Sequence, residues 1–529
     1  LSLGLMRIGY ASIYSWRPHV EHLYYLAGIT RDAGHSVSFL ACDGDLSGCY
    51  PKALHPERSG WVHCLRCRAG NIRSFSARDC CSIGSLADDT VPVSEGAYEG
   101  CLSSASTLGR FESDSDFQSP AFHAIVRSLA AGTQKAYSAA LRWIERERLE
   151  AVCLFNGRMD ATRGVMEAAR SAGIPFVSLE RTWFGDGVQL LPNENCLGLN
   201  GVDRMMTQWR MRPLTRDQAL RATRHVAARF LRRNDKEWRA YNVSARTVEW
   251  PQADSARRVL LVPGSRNEIW GHPDWASVWP EQTAAYDALI DRFNLKPSEL
   301  VLRCHPNWGE RIGTADGSKA ERYYTDWAAR RGVHCIASTD TASTLGLIER
   351  CDALVVAGGS AALEGGILGK QVIAMGPSIY QQAGFQSDAM SPDALQGLTL
   401  TPASDTLTSV RIARQTLRFA YTMAYRVPQY VEYVRSVTAT RYEYREGADA
   451  GRLIDMFRNG VIPADDATYA ADESGEDDVL AMVARREWEA LHELGGANVQ
   501  GSAIPRHVHR RWMYRPIDII RDAFPRGDR

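Results

Sequence analysis

The sequence predicts an α/β protein of two domains in series, each a parallel sheet flanked by helices. Three observations predict it. Short β-rich runs alternate with stretches of helical spacing from residue 6 to 181. The same alternation resumes from 257 to 376, and a polar stretch at 243–256 separates the two. The size agrees, because 529 residues suffice for two full cores. A hydrophobic fraction of 45% with 23% charged residues is an ordinary globular balance.

The first alternation opens with "MRIGYASIY" (6–14), a short apolar run. Helical spacing follows over "RPHVEHLYYLAGITRDAGH" (17–35), with Gly34 near its end. "SVSFLAC" (36–42) reads as the second strand. A Ser-, Gly- and Asp-rich insertion, expected to be irregular, occupies 42–117. A long amphipathic helix spans 122–150; "AVCLFNGR" (151–158), a helix to Gly173 and "IPFVSLER" (174–181) complete the unit. An Arg-rich helix over 214–242 leads to the linker. The second alternation has strands at 257–264, 300–306, 333–337, 353–358 and 371–376. The expected division is therefore an N-terminal domain (1–250), a second domain (257–400), a helical segment (401–470), and an acidic linker with a basic aromatic tail (471–529). The stretch "DDATYAADESGEDD" (465–478) reads as flexible.

Formal net charge is zero, so no global electrostatics favours nucleic acid, and no nucleic-acid partner is expected. No apolar run approaches the ~20 residues that cross a bilayer. Without a secretory pattern at residue 1, a reducing cytoplasm is the expected location. The tail "RHVHRRWMYRPIDIIRDAF" (506–524) reads either as a helix packing back on the body or as a peripheral contact with the inner membrane face.

The most informative run is "STLGLIERCDALVVAGGSAALEGGILGKQVIAMG" (343–376). A strand runs to Val356, and Gly358-Gly359-Ser360 opens a helix, the geometry in which free N–H groups receive a phosphate. Glu364, one turn in, is placed to accept hydrogen bonds from ribose hydroxyls; the alternative is a packed β–α turn. The run is no P-loop, because Glu364 stands where the first glycine belongs and Gln371 replaces Ser/Thr. No G-x-G-x-x-G follows the first strand, which disfavours dinucleotide redox chemistry. Arg303 and His305 in "VLRCHPNW" (301–308) stand at a strand's carboxyl end, where open α/β sheets bind ligands.

The R-x-H-P at 303–306 followed by "IERCDALVVAGGSAALEGGILGKQVIAMG" resembles bacterial capsule-polysaccharide biosynthesis glycosyltransferases, including the Kdo-transferase type. The resemblance covers residues 257–385 well and the first domain in outline. It implies the GT-B fold, two Rossmann-like domains facing across a cleft, and a nucleotide-sugar donor, CMP-activated donors among the candidates. It carries the donor nucleotide to Arg303, His305, Gly359, Ser360 and Glu364, and implies no catalytic metal. The acceptor, a surface glycan or small hydroxylated molecule, and the catalytic base then fall to the first domain. Asn156, Arg158, Asp160, Glu180 and Asp186 each follow a strand there. Direct displacement needs one group to take the acceptor's proton, for which Glu180 and Asp186, then Asp160, are the candidates. Asp160 is equally a helix cap and Asp186-Gly187 a turn. Arg158 suits a phosphate or acidic sugar. Ser265, Arg266, Asn267 and Glu268, after the second domain's first strand, are expected beside the donor or at the domain junction.

Cys42, Cys49, Cys64 and Cys67 gather four thiols within one short stretch, with C-x-x-C at its end. A structural four-cysteine zinc site is the expectation, a four-iron iron–sulfur cluster the rival, and unligated buried thiols the third reading. Two other functions stay open: a nucleotide-sugar epimerase or hydrolase on the same fold, and a non-catalytic metal-dependent binding protein.

Overall fold

Strand–helix alternation winds into two sheets of the same order. The computed structural model describes residues 4–74, 80–238, 245–246, 248–251, 256–313, 315–402, 404–471, 474–496 and 504–508. In the first sheet β1 (Arg7–Ser12), β2 (Ser36–Ala41), β3 (Cys80–Ser82), β4 (Ala151–Phe155) and β5 (Phe176–Glu180) run parallel, and β6 (Val188–Pro192) returns antiparallel. Their order is β3-β2-β1-β4-β5-β6. The second sheet contains β7 (Val259–Val262) and β8 (Leu300–Arg303), then, beyond a small hairpin of β9 (Arg311–Ile312) and β10 (Ala315–Asp316), β11 (His334–Ile336), β12 (Ala353–Val356), β13 (Gln371–Ala374) and β14 (Gln386–Asp388). It is wholly parallel in the order β11-β8-β7-β12-β13-β14. Both repeat the doubly wound 3-2-1-4-5-6 order, so the expected pair of Rossmann-like domains is present. Every residue of β4, β7, β12 and β13 is buried, as strands covered on both faces must be.

The insertion is not irregular. It folds into α2 (Tyr50–Leu54), α3 (Gly60–Ser74), α4 (Ile83–Leu86), α5 (Glu95–Gly109) and α6 (Asp114–Phe117), after α1 (His19–Asp32). Its small residues permit close helix packing against α7 (Pro120–Glu147) and α8 (Asp160–Ser171). A Cβ on Gly100 would stand 2.5 Å from the Arg163 Cβ, and one on Gly164 2.8 Å from the Thr133 carbonyl. The Ser/Gly richness that suggested loop is a packing requirement. Among the described residues of the Arg-rich stretch, after α9 (Asn200–Trp209), the helix is α10 (Arg216–Phe230).

The two domains meet through α5–α6 and the loop after β7. Ser106 Oγ and Thr107 Oγ1 donate to the Asn267 carbonyl (3.0 and 3.1 Å), and Arg110 donates to the carbonyls of Asn307 (2.6 Å) and Glu310 (3.1 Å). The Glu112 carboxyl, fully buried, accepts from the Arg266 N–H (3.1 Å) and Tyr324 Oη (2.8 Å). Trp270 stacks on Phe117 with ring centres 4.4 Å apart.

The chain past residue 400 does not form a separate helical body. After α11 (Gln282–Phe293), α12 (Ser318–Arg331), α13 (Thr344–Arg350), α14 (Ala361–Ile367) and α15 (Pro392–Gly397), helix α16 (Thr406–Tyr421) packs on α10 and α14. The chain then returns to the first sheet, where β15 (Pro428–Gln429) pairs antiparallel with β6. A hairpin of β16 (Val434–Thr438) and β17 (Arg441–Tyr444) covers α1, with Tyr444 Oη 2.9 Å from His22 Nδ1. Beyond α17 (Gly451–Asn459), the acidic stretch expected to be flexible is instead anchored. Asp466 pairs with Arg426 (2.8 Å), and Glu476, opening α18 (Glu476–Ala484), takes two hydrogen bonds from Arg418 (2.7 and 2.8 Å). α19 (Trp488–Leu494) then packs on α10. Most of the basic aromatic tail lies outside the described residues.

Candidate functional site

A doubly wound sheet places its ligand beyond the carboxyl ends of its strands, where the strand order reverses. In the first sheet that point lies between β1 and β4, in the second between β7 and β12.

On the first sheet three side chains converge there. Glu180 ends β5 and keeps about a quarter of its side chain exposed (23%). Its Oε1 accepts from His19 Nε2 at 2.6 Å and from the Arg181 N–H at 3.0 Å; Oε2 accepts from Asn156 Nδ2 at 3.1 Å. Burial works against charge on Glu180, but His19, Arg181 and these hydrogen bonds outweigh it and hold the carboxyl well below the usual range. Burial lowers the His19 pKa, and the neighbouring Glu180 acts the other way. Asn156 sits at φ +65, a left-handed turn that its short amide tolerates and that aims it at Glu180. Its Oδ1 also accepts the N–H groups of Arg158 and Met159 (3.0 and 3.2 Å), fixing the turn that starts α8.

The other first-domain candidates are occupied elsewhere. Asp160 is fully buried, accepting from Tyr14 Oη (2.7 Å), Ser104 Oγ (3.1 Å) and the Tyr50 N–H (3.0 Å). Burial raises its pKa to about 6. It ties α2 and α5 to α8 and presents no oxygen to an acceptor. Asp186 is bound by Ser436 N–H (2.8 Å), Lys236 (3.3 Å) and Arg435 (3.3 Å), pinning the β16–β17 hairpin. Arg158 donates to Ser103 Oγ (3.1 Å) and the Glu268 carbonyl (2.9 Å), which makes it a strut between domains.

On the second sheet, Gly358 takes φ +93 after β12, and Gly359 and Ser360 stand open at the start of α14. A Cβ on Gly359 would meet nothing within 4 Å, whereas one on Gly358 would stand 3.1 Å from Trp275. Trp275 donates its indole N–H to the Leu197 carbonyl (2.7 Å), so this ring joins the turn to the first domain. Glu364 is buried. Its Oε1 accepts from Arg229 Nη1 at 2.7 Å, and its Oε2 is buried with no hydrogen-bond partner among the described residues. Burial raises its pKa, with the Arg229 charge acting the other way. Arg229 also binds Glu237 through two bonds (2.9 and 2.6 Å) and lies 5.0 Å from the centre of the Trp183 ring. Trp183 is three residues past Glu180, so the two edges are linked through Trp183 and Arg229.

Arg303 and the loop after β7 depart from expectation. Arg303 is buried, donating to the carbonyls of Ala337 and Asp340, and so holds the loop after β11 in place. His305 caps the turn Pro306–Gly309, its Nδ1 accepting the Asn307 N–H (3.3 Å), and stays half-buried at the edge. Arg266 binds Asp114 (2.7 Å) and the Glu112 carbonyl (3.0 Å); Asn267 is buried; Glu268 accepts from Asn307 Nδ2 (3.1 Å). These residues form the domain junction, the second of the two roles the sequence allowed.

The four-cysteine site does not assemble. Among the described residues no three His, Cys, Asp or Glu side chains are grouped to hold a metal. Cys42, Cys49, Cys64 and Cys67 are all free thiols, with burial raising Cys42, Cys49 and Cys67. Cys64 and Cys67 lie on α3, where C-x-x-C is the i, i+3 spacing of one helix face. The loop before α2 is held instead by glycine contact with α7: a Cβ on Gly132 would stand 2.0 Å from the Gly48 carbonyl. The reading missed His19, whose signal was a histidine opening the helix that follows β1.

No family model matches the chain, and no curated protein matches it. Among solved structures it is similar to the KpsC β-Kdo 2,4-transferase of Thermosulfurimonas dismutans (16% identity, covering 59% of this chain and 87% of that one, TM-score 0.32). It is also similar to the glycosyltransferase SnogD of Streptomyces nogalater (15% identity, 79% and 95% covered, TM-score 0.22). A third similar structure is the UDP-GlcNAc 2-epimerase of Methanocaldococcus jannaschii (8% identity, 74% and 91% covered, TM-score 0.26).

Proposed function

We propose that the chain transfers a sugar from a nucleotide-activated donor to an acceptor hydroxyl, the donor on the second sheet and the acceptor on the first. The observation that carries this reading is Glu364. Among the described residues, one oxygen of a buried carboxylate has no hydrogen-bond partner, beside an open glycine turn at the carboxyl edge of a parallel sheet. A ribose hydroxyl supplies the missing hydrogen bond, and the N–H groups after Gly358 face the donor phosphate.

Glu180 is the base. It is the partly exposed member of the His19–Glu180–Asn156 group at the carboxyl edge of the first sheet. As the acceptor oxygen forms its bond to the anomeric carbon, its proton passes to Glu180 and the bond to the nucleotide phosphate breaks. His19 and Asn156 keep the carboxylate oriented. His305 and Ser360 border the donor, and a bacterial surface glycan is the acceptor class suggested by the sequence resemblance.

The test incubates purified protein with a set of nucleotide-sugars, alone and with a pool of short oligosaccharides, and identifies products by mass spectrometry. An extended oligosaccharide with free nucleotide supports transfer. An altered nucleotide-sugar formed without acceptor replaces it with the epimerase reading.

A further inference from the structure

We propose that the outer face of α3 docks the protein on an anionic phospholipid surface. Trp61 and Leu65 lie one turn apart on this helix and are 66% and 58% exposed. Large apolar side chains left in water one turn apart form a patch rather than a scatter. Arg66 and Arg68 are exposed beside them, and Ala69 continues the stripe. At about 100° per residue, Trp61, Leu65, Arg68 and Ala69 fall within roughly a third of the helix circumference, and the exposed Arg66 lies about 60° beyond its edge. His63, Gly70 and Asn71 are buried on the opposite side.

The charge selects the partner. Gly60–Ser74 carries three arginines and no acid, within a chain whose net charge is zero. Among the described residues no carboxylate pairs with Arg66 or Arg68, while Arg58, just before the helix, faces Glu57 at 3.5 Å. A tryptophan and a leucine flanked by guanidinium groups match the boundary between acyl chains and anionic headgroups. The contact stays at the surface, because among the described residues no helix is long and apolar enough to cross a membrane.

The placement has a consequence for the cleft. Ser15 Oγ, in the loop after β1, lies 2.7 Å from the Cys67 carbonyl and 2.5 Å from Asn71 Oδ1, donating its one proton to either, so α3 is fastened to the carboxyl edge of the first sheet. A bilayer on α3 therefore lies next to the acceptor side, where an acceptor carried on a lipid would arrive. This consequence rests on the transfer reading; the docking surface does not.

Co-sedimentation of the full chain with phosphatidylcholine vesicles, with and without about one third phosphatidylglycerol, tests the surface. Binding to the anionic vesicles is expected, weakening as salt rises. It should fall about tenfold in Trp61→Ser/Leu65→Ser and about tenfold in Arg66→Gln/Arg68→Gln. Unchanged thermal unfolding of each exposed-face variant shows that the fold is intact. No binding by the wild type, or equal binding by both variants, overturns the proposal. So does a lipid-free dimer, seen by sedimentation velocity, that Trp61→Ser/Leu65→Ser dissociates, because the face is then covered by a second copy.

Discussion

Replacing Glu112 by glutamine should make the stability of the protein less dependent on pH, by an amount set at the domain junction. Glu112 is fully buried between α5–α6 and the second domain, and burial raises its pKa from 4.5 to about 8. An acid raised in the folded state stabilises it fully below the unfolded pKa. That stability is lost as pH rises towards the folded pKa, because the unfolded chain ionises freely while the folded one does not. The loss therefore falls between pH 4.5 and 8. With about 1.4 kcal/mol per pH unit across that window, the wild type should lose roughly 3–4 kcal/mol from pH 5 to pH 8 through this group. Glutamine does not titrate, so the difference between Glu112→Gln and wild type isolates it from His19, His22 and Asp160. The Gln amide facing the Arg266 N–H adds a fixed cost that does not vary with pH. Urea denaturation at pH 5, 6, 7, 8 and 9 is the assay. The stability difference should swing towards the variant by several kcal/mol and flatten above pH 8. A difference constant over the range would refute a neutral, buried Glu112.

Three further outcomes follow from the packing and the site. Arg418→Ala removes two of the hydrogen bonds to Glu476, which has no exposed surface and keeps Arg414 (3.1 Å) and the Leu214 N–H (2.8 Å); a loss of about 1–3 kcal/mol is expected, with faster hydrogen exchange across 476–494. Gly132→Ala places a methyl 2.0 Å from the Gly48 carbonyl, so a cost of about 1–3 kcal/mol in thermal unfolding is expected, with the loop before α2 loosened. Glu180→Gln should lower sugar transfer at least about 100-fold while leaving donor binding intact, whereas Asp186→Asn should act mainly on stability.

The sheet was readable because a buried parallel strand is a short apolar run whose period and length survive in any context. The glycine turn after β12 was readable too, since its signal is local: strand, glycines, helix. What could not be read was which acids face the cleft. Asp160 and Asp186 follow strands just as Glu180 does, but their fate is decided by Tyr14, Ser104, Arg435 and Ser436, remote in sequence. The same holds for Arg303 and Arg266, whose partners are carbonyls and carboxylates of other loops. The cysteines misled because C-x-x-C suits both a chelating turn and one face of a helix, and α3 supplies the second. The 42–117 insertion misled because glycine and serine mark close helix contact as well as loop.

The most direct test of the account is nucleotide binding at Glu364. Thermal shift of wild type, Glu364→Gln and Glu180→Gln against CMP, UDP, GDP, ADP and dTDP reads it. One nucleotide should stabilise the wild type, by about 2.7 kcal/mol at a hundred times its Kd. That response should weaken about tenfold in affinity in Glu364→Gln and persist in Glu180→Gln. A folded wild type that responds to none of the five, or a Glu364→Gln variant that responds as the wild type does, would contradict a donor site at the 358–364 turn.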